Sequence, residues 1–195
     1  MERPTASPDV VVIGIGCPYR CDDGVGPAVL ERLAGMCAGD RPLSDLAALV
    51  TCDGDLTRLI GIWESAASAV LVDAAQSGER GRPGTVRRFD LADTELQYGP
   101  LTASSHGLGL AEAVALGRAL DRLPARLVVY TVEAADTGVG NRLSDVVAAA
   151  VDEAAGRVAA EIARIAGWAV ARPGCDASAS AAVRPRPRRS RGTWR

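Results

Sequence analysis

Three side chains in this sequence could share a metal ion: Asp23, Asp73 and His106, the last being the only histidine. Asp23 lies in the stretch Gly14-Ile-Gly16-Cys-Pro-Tyr-Arg-Cys-Asp22-Asp23-Gly24-Val-Gly26. Asp73 follows the apolar run Val70-Leu-Val72, and His106 sits among small residues in Ser104-Ser105-His106-Gly107. Two carboxylates and an imidazole make a mixed oxygen and nitrogen ligand set, suited to borderline divalent ions such as Zn²⁺ or Ni²⁺. Three protein ligands leave coordination positions open, as a reacting or transient metal site requires. The glycines of the first stretch invite a dinucleotide reading, but Tyr19 stands where a third glycine would complete that fingerprint. Two adjacent acids would also repel a pyrophosphate and favour a cation. Cys17 and Cys21 are spaced C-x3-C with no second ligand pair at matching spacing, so they read as loop thiols rather than a structural zinc site. A rival arrangement makes Cys17 a nucleophile with His106 as its base, since the two need only meet in space.

These residues need a scaffold that brings them together, and the apolar pattern supplies one. Val10 to Ile13 is a β-branched run closed by Gly14-Ile-Gly16, which reads as a buried first strand and a tight turn. Pro27 to Met36 has helical spacing, with Pro27 suited to the first turn. Leu46 to Cys52 is a second strand ended by Asp53-Gly54, Leu56 to Ala66 is helical, and Ala69 to Val72 is a third strand ended by Asp73. Gly84 to Phe89 alternates as a half-exposed strand, Leu108 to Leu120 is helical, and Arg126 to Val132 is the last strand. The final helix has Ser144 as its N-cap, Asp145 in its first turn, Arg164 in its last and Gly167 at its C-terminal end. Strands alternating with helices predict a three-layer α/β/α sandwich, around a central twisted, mostly parallel sheet of about five strands. The ligand crevice of such sheets lies outside the carboxyl ends of the strands. The first three strands each deliver an acid there: Asp22 and Asp23, then Asp53, then Asp73.

The 195 residues are predicted to form one domain over 1–168, followed by a disordered Arg/Pro-rich tail over 169–195. Hydrophobic residues make up 48% of the chain but aromatics only 4%, so the core is aliphatic. The net charge of -2 gives no reason to expect a nucleic acid or an anionic membrane as partner. The chain has no lysine, which excludes Schiff-base chemistry and a Walker-type phosphate loop. Its five cysteines are irregularly spaced and no leader is evident, so reduced thiols in a cytoplasmic protein are expected. No apolar run approaches the roughly 20 residues that span a bilayer.

The ordered series of motifs resembles the hydrogenase maturation endopeptidases, which trim the C-terminus of nickel-iron hydrogenase large subunits. The matching pieces run from about Val10 to Ala166: Gly14-Ile-Gly16 with Asp22-Asp23-Gly24-Val-Gly26, Asp53-Gly54, Val72-Asp73-Ala74, Ser105-His106-Gly107-Leu-Gly-Leu110, Val132-Glu133, and Gly140-Asn-Arg-Leu143-Ser144. The resemblance implies the same sandwich fold. It implies that Asp23, Asp73 and His106 bind nickel already loaded into the hydrogenase precursor, so that the ion arrives with the substrate. Asp53 falls where the family carries a further acid near the cleft and is a catalytic or substrate-positioning candidate. The implied activity is an aspartic-type endopeptidase that removes a short C-terminal peptide, activating the hydrogenase, in a protein that acts as a monomer. Cys17 stands where the family usually has Asn, and Asp23 is the shorter of the two acids found at its position. A non-proteolytic nickel-binding maturation chaperone and a thiol hydrolase using Cys17 and His106 are the alternative expectations.

Overall fold

The structure, a computed structural model, describes residues 9–38, 41–78, 81–91 and 109–167. Its centre is a five-stranded sheet of order β4-β1-β5-β7-β6. The strands are β1 (Val10–Ile15), β4 (Ala48–Cys52), β5 (Ser68–Ala75), β6 (Val86–Asp90) and β7 (Arg126–Glu133). A two-residue ladder joins β2 (Cys37–Ala38) to β3 (Arg41–Pro42) beside it. Within the five-stranded sheet β4, β1, β5 and β7 run parallel and β6 is antiparallel to its neighbour. Four helices complete the described chain: α1 (Val25–Ala34), α2 (Leu56–Trp63), α3 (Gly109–Ala119) and α4 (Asp145–Ile165).

The central strands are apolar throughout because both of their faces are covered. Side chains alternate along a strand, and the two halves of the alternation enter two separate cores. Val10 and Val12 of β1, with Val70 and Val72 of β5, pack against Val29 and Leu33 of α1 and Val158 and Ile162 of α4. Val11, Ile13 and Ile15, with Ala69 and Leu71, pack against Leu59 and Trp63 of α2 and Val114 of α3. This is the expected three-layer α/β/α sandwich. Trp63 is fully buried, and its indole N–H donates to the Arg122 carbonyl at 3.0 Å, which satisfies its one polar atom.

Some boundaries differ from the sequence pattern. The strand predicted from Leu46 begins at Ala48, because Leu43–Asp45 form a short 3-10 turn that buries Leu43 and Ala47 by another route. The third strand runs through Asp73 to Ala75, paired with β7 as far as Ala75↔Glu133. The last helix carries Ser144 at its N-cap as expected, but the hydroxyl donates to Asp22 instead of capping the helix. Glu161, buried on α4, accepts from the Arg88 guanidinium at 3.1 and 3.2 Å and from the Tyr130 hydroxyl at 3.4 Å, and pairs with Arg164. Burial alone would raise its pKa, but the hydrogen bonds and charges of Arg88 and Arg164 outweigh that and hold it below its ordinary value. Among the described residues, no helix is long and apolar enough to cross a membrane. The predicted tail lies outside the described residues.

Candidate active site at the carboxyl ends of the strands

The turn after β1 is built for close approach. Gly16 has φ +144°, a conformation side chains rarely adopt, and a Cβ there would sit 1.8 Å from the Asp23 carbonyl. Gly26, in the first turn of α1, lies against β1 and β5: its Cβ would come within 2.2 Å of the Ile15 carbonyl oxygen and 2.7 Å of the Val72 one. The start of α1 is thereby pressed onto the ends of two adjacent strands. Cys21–Gly24 form a 3-10 turn, in contact with β5, that carries both acids of the motif. Cys21 opens it at φ +44°, a strained value for a residue with a side chain.

The two neighbouring acids do different work. Asp22 is fully buried and joins three pieces of chain. One oxygen accepts from the Ala135 and Asp136 backbone N–H groups at 2.8 and 2.9 Å and from the Ser144 hydroxyl at 2.9 Å. The other accepts from the Ser144 N–H at 2.6 Å, at the N-terminus of α4, where the helix dipole favours an anion. Asp22 therefore fixes the site turn to the loop after β7. Asp23 is 1% exposed, and its carboxylate accepts from the Cys17 backbone N–H at 2.9 Å.

Asp73 is fully buried near the carboxyl end of β5, and one of its oxygens accepts from the Ala74 N–H at 2.8 Å. By strand alternation it shares a face with Ala69 and Leu71, the face covered by α2 and α3. Asp23 and Asp73 thus stand at the same edge of the sandwich, beyond or near the ends of adjacent parallel strands. His106 lies outside the described residues. Among the described residues, no group of three metal-binding side chains occurs. The donor chemistry of the two carboxylates suits a divalent cation, with an imidazole as the natural third ligand for nickel.

Asp53 follows β4 as expected but projects into solvent, with a side chain 67% exposed and 3.7 Å from the Arg58 guanidinium. Cys17 and Cys21 are both free and half-buried. Partial burial pushes the Cys21 thiol up, and the charge and hydrogen bond of Asp136 push it further, so it stays protonated at neutral pH. Two functions escaped the sequence reading. The clamp made by Asp22 is one, and the other is Glu133, buried at the end of β7, whose carboxylate accepts from the Ser77 N–H and hydroxyl and so ties down the turn after β5. Glu133 had a signal in being a lone acid closing an apolar strand, as Asp73 nearly is.

Comparison with known proteins shows the family of the chain. A family model described as hydrogenase maturation protease matches residues 54–161, more than half of the chain. The chain belongs to the hydrogenase maturation protease family. The [NiFe] hydrogenase maturation protease HybD from Thermococcus kodakarensis is 26% identical, with a TM-score of 0.62 over 79% of this chain and 98% of that one. The hydrogenase maturating endopeptidase HybD from Escherichia coli is 22% identical, with a TM-score of 0.62 over 84% and 96% of the two chains. An endopeptidase from Escherichia coli solved in solution gives a TM-score of 0.68 at 22% identity, over 82% and 94%. The last two likenesses are of fold. No curated protein matches the chain.

Proposed function

We propose that this hydrogenase maturation protease is an aspartic-type endopeptidase of the cytoplasm, acting as a monomer on the nickel-loaded precursor of a nickel-iron hydrogenase large subunit. It removes a short C-terminal peptide and so completes the maturation of that subunit. The observation that carries the reading is the pair of carboxylates, Asp23 and Asp73, withdrawn from water where adjacent parallel strands end. That is the crevice in which open α/β sheets take their ligands.

Nickel is part of the substrate. Asp23, Asp73 and His106 ligate the ion carried by the precursor, so that an unfilled hydrogenase centre is not engaged. The ion polarises the scissile carbonyl or the attacking water. A carboxylate of the site accepts the proton of that water and returns it to the leaving amine. One water is consumed, the C–N bond breaks, and a new carboxylate and a free amine result. Asp53, exposed beside the cleft, serves to position the substrate rather than to hold the ion.

The test compares nickel-loaded with nickel-free precursor, each incubated with the protein and weighed by mass spectrometry. Shortening of the loaded form alone is expected, and it is lost in Asp73→Ala. Equal shortening of both forms refutes nickel sensing, and shortening of neither refutes the protease reading.

A further inference from the structure

Five large hydrophobic side chains are exposed among the described residues; Leu116 lies on α3, Leu120 just beyond its C-terminal end, and Val146 in the first turn of α4. The other two, Tyr19 and Val139, are 73% and 98% exposed and lie on the two loops that flank the Asp23 turn. Single exposed apolar residues need no explanation, but these two stand on loops that are hydrogen-bonded to each other at Tyr19 and Gly140, next to the turn that carries Asp23.

These loops are not loose. The Cys21 N–H donates to the Gly140 carbonyl at 2.9 Å, the Gly140 N–H to the Tyr19 carbonyl at 3.0 Å, and the Asp22 N–H to the Asp136 carbonyl at 2.9 Å. The Arg20 guanidinium reaches the Thr137 carbonyl at 3.5 Å, and the Gln76 amide donates to the Thr137 hydroxyl at 2.8 Å. The buried Asp22 carboxylate holds the same loops from beneath. Tyr19 and Val139 are therefore presented on a braced backbone, which lowers the ordering cost of binding through them. Exposed Arg20, Asn141 and Arg142 surround them with polar groups, the arrangement of an apolar interface centre within a polar rim.

We propose that the braced Tyr19–Val139 rim is the docking surface for the folded hydrogenase precursor, taking an apolar patch of that protein next to its cleavage site. The inference rests on the proposed protease function: the partner must cover the mouth of the cleft, and this patch is continuous with it through the Asp23 turn. Docking there aims the substrate's C-terminus at the carboxylate pair. Tyr19 is the anchor, since tyrosine supplies large contact area at low entropic cost.

The experiment measures steady-state cleavage of nickel-loaded precursor, and separately its equilibrium binding, for wild type and for the double variant Tyr19→Ser with Val139→Ser. Because both side chains lie outside the core, the variant should unfold at the wild-type temperature. KM and Kd should rise about tenfold or more, the effect of losing one anchor contact, with kcat changed less than twofold. Tyr19→Phe with Val139→Ile should recover most of the affinity, which a purely structural role would not produce. Unchanged KM and Kd overturn the proposal, as does a fall confined to kcat. Concentration-dependent dimerisation of the wild type that the variant abolishes, with KM unchanged, overturns it in favour of self-association. If the wild type binds the precursor without shortening it, the protease reading fails, and the Kd comparison alone still decides the docking surface.

Discussion

Replacing Asp22 with Ala removes the buried carboxylate that ties the site turn to the loop after β7 and to the start of α4, and leaves only the backbone bonds between turn and loop. Four donors lose their acceptor at once: the N–H groups of Ala135, Asp136 and Ser144, and the Ser144 hydroxyl. Each hydrogen bond to a charged group contributes about 1.5–3 kcal/mol, so the nominal loss is roughly 6–12 kcal/mol. Two effects reduce it. Ala135 and Asp136 are exposed, so water can replace the carboxylate for them, and removing a buried charge also removes its desolvation penalty. The expected net loss is about 3–4 kcal/mol, within the range for breaking a buried charged network. For a chain of this size that corresponds to a fall in Tm of roughly 6–16 °C. Urea unfolding and thermal melting of Asp22→Ala measure it, with precursor cleavage followed at a temperature where the variant is still folded. Cleavage should fall there too, because the turn that carries Asp23 is then held by its backbone bonds alone. Asp22→Asn should not rescue, since its amide nitrogen turns a donor toward donors. A loss below about 1 kcal/mol, with cleavage intact, would refute the clamp.

Gly26→Ala should leave little folded protein, because its Cβ would lie 2.2 Å from the Ile15 carbonyl oxygen and backbone must move to admit it; soluble yield and circular dichroism report this, and a wild-type melting curve would contradict the packing described. Glu161→Gln should lower stability at pH 7 by about 1–2 kcal/mol, a modest figure because Arg88 and Arg164 are partly exposed. The native pKa of Glu161 lies below the ordinary value of a glutamate, so its contribution is complete above that ordinary value and is lost as pH falls through the lowered native pKa; the gap between wild type and variant, measured by urea unfolding, should therefore close in acid and not in base.

Much of the fold was legible because parallel strands covered on both sides leave a plain record. Val10 to Ile13 and Ala69 to Val72 are continuous apolar runs, and only a strand buried on both faces accommodates so short and unbroken a run between turn residues. The edge of the sheet was less legible. Leu43, Leu46 and Ala47 supply apolar residues just ahead of β4, yet they belong to a turn, since side-chain type does not distinguish a buried 3-10 turn from an extended strand. The β2–β3 ladder, two residues on each side, is too short for any periodicity to mark it. Asp73 looked like the end of its strand, because an acid normally interrupts a buried run. The strand continues because β7 keeps pairing with it for two further residues.

The site was legible in residue type and only partly in role. Asp22 and Asp23 are chemically equivalent neighbours, and nothing in their order says which one turns toward the loop after β7 and which toward the Cys17 backbone. The 3-10 turn decides it, by sending successive side chains in different directions. Position 17 makes the converse point. Cys there departs from the usual Asn of the family, which suggests a changed hydrogen-bond pattern in the first loop. What the position gives Asp23, however, is its backbone N–H. A main-chain donor is the same whichever side chain stands beside it, so the support of the Asp23 carboxylate survives the exchange. The constraint on this turn falls instead on Gly16 and Gly26, where added atoms would collide with carbonyl oxygens. It follows that variation at Cys17 can alter what meets the substrate without altering how Asp23 is held, whereas variation at either glycine cannot.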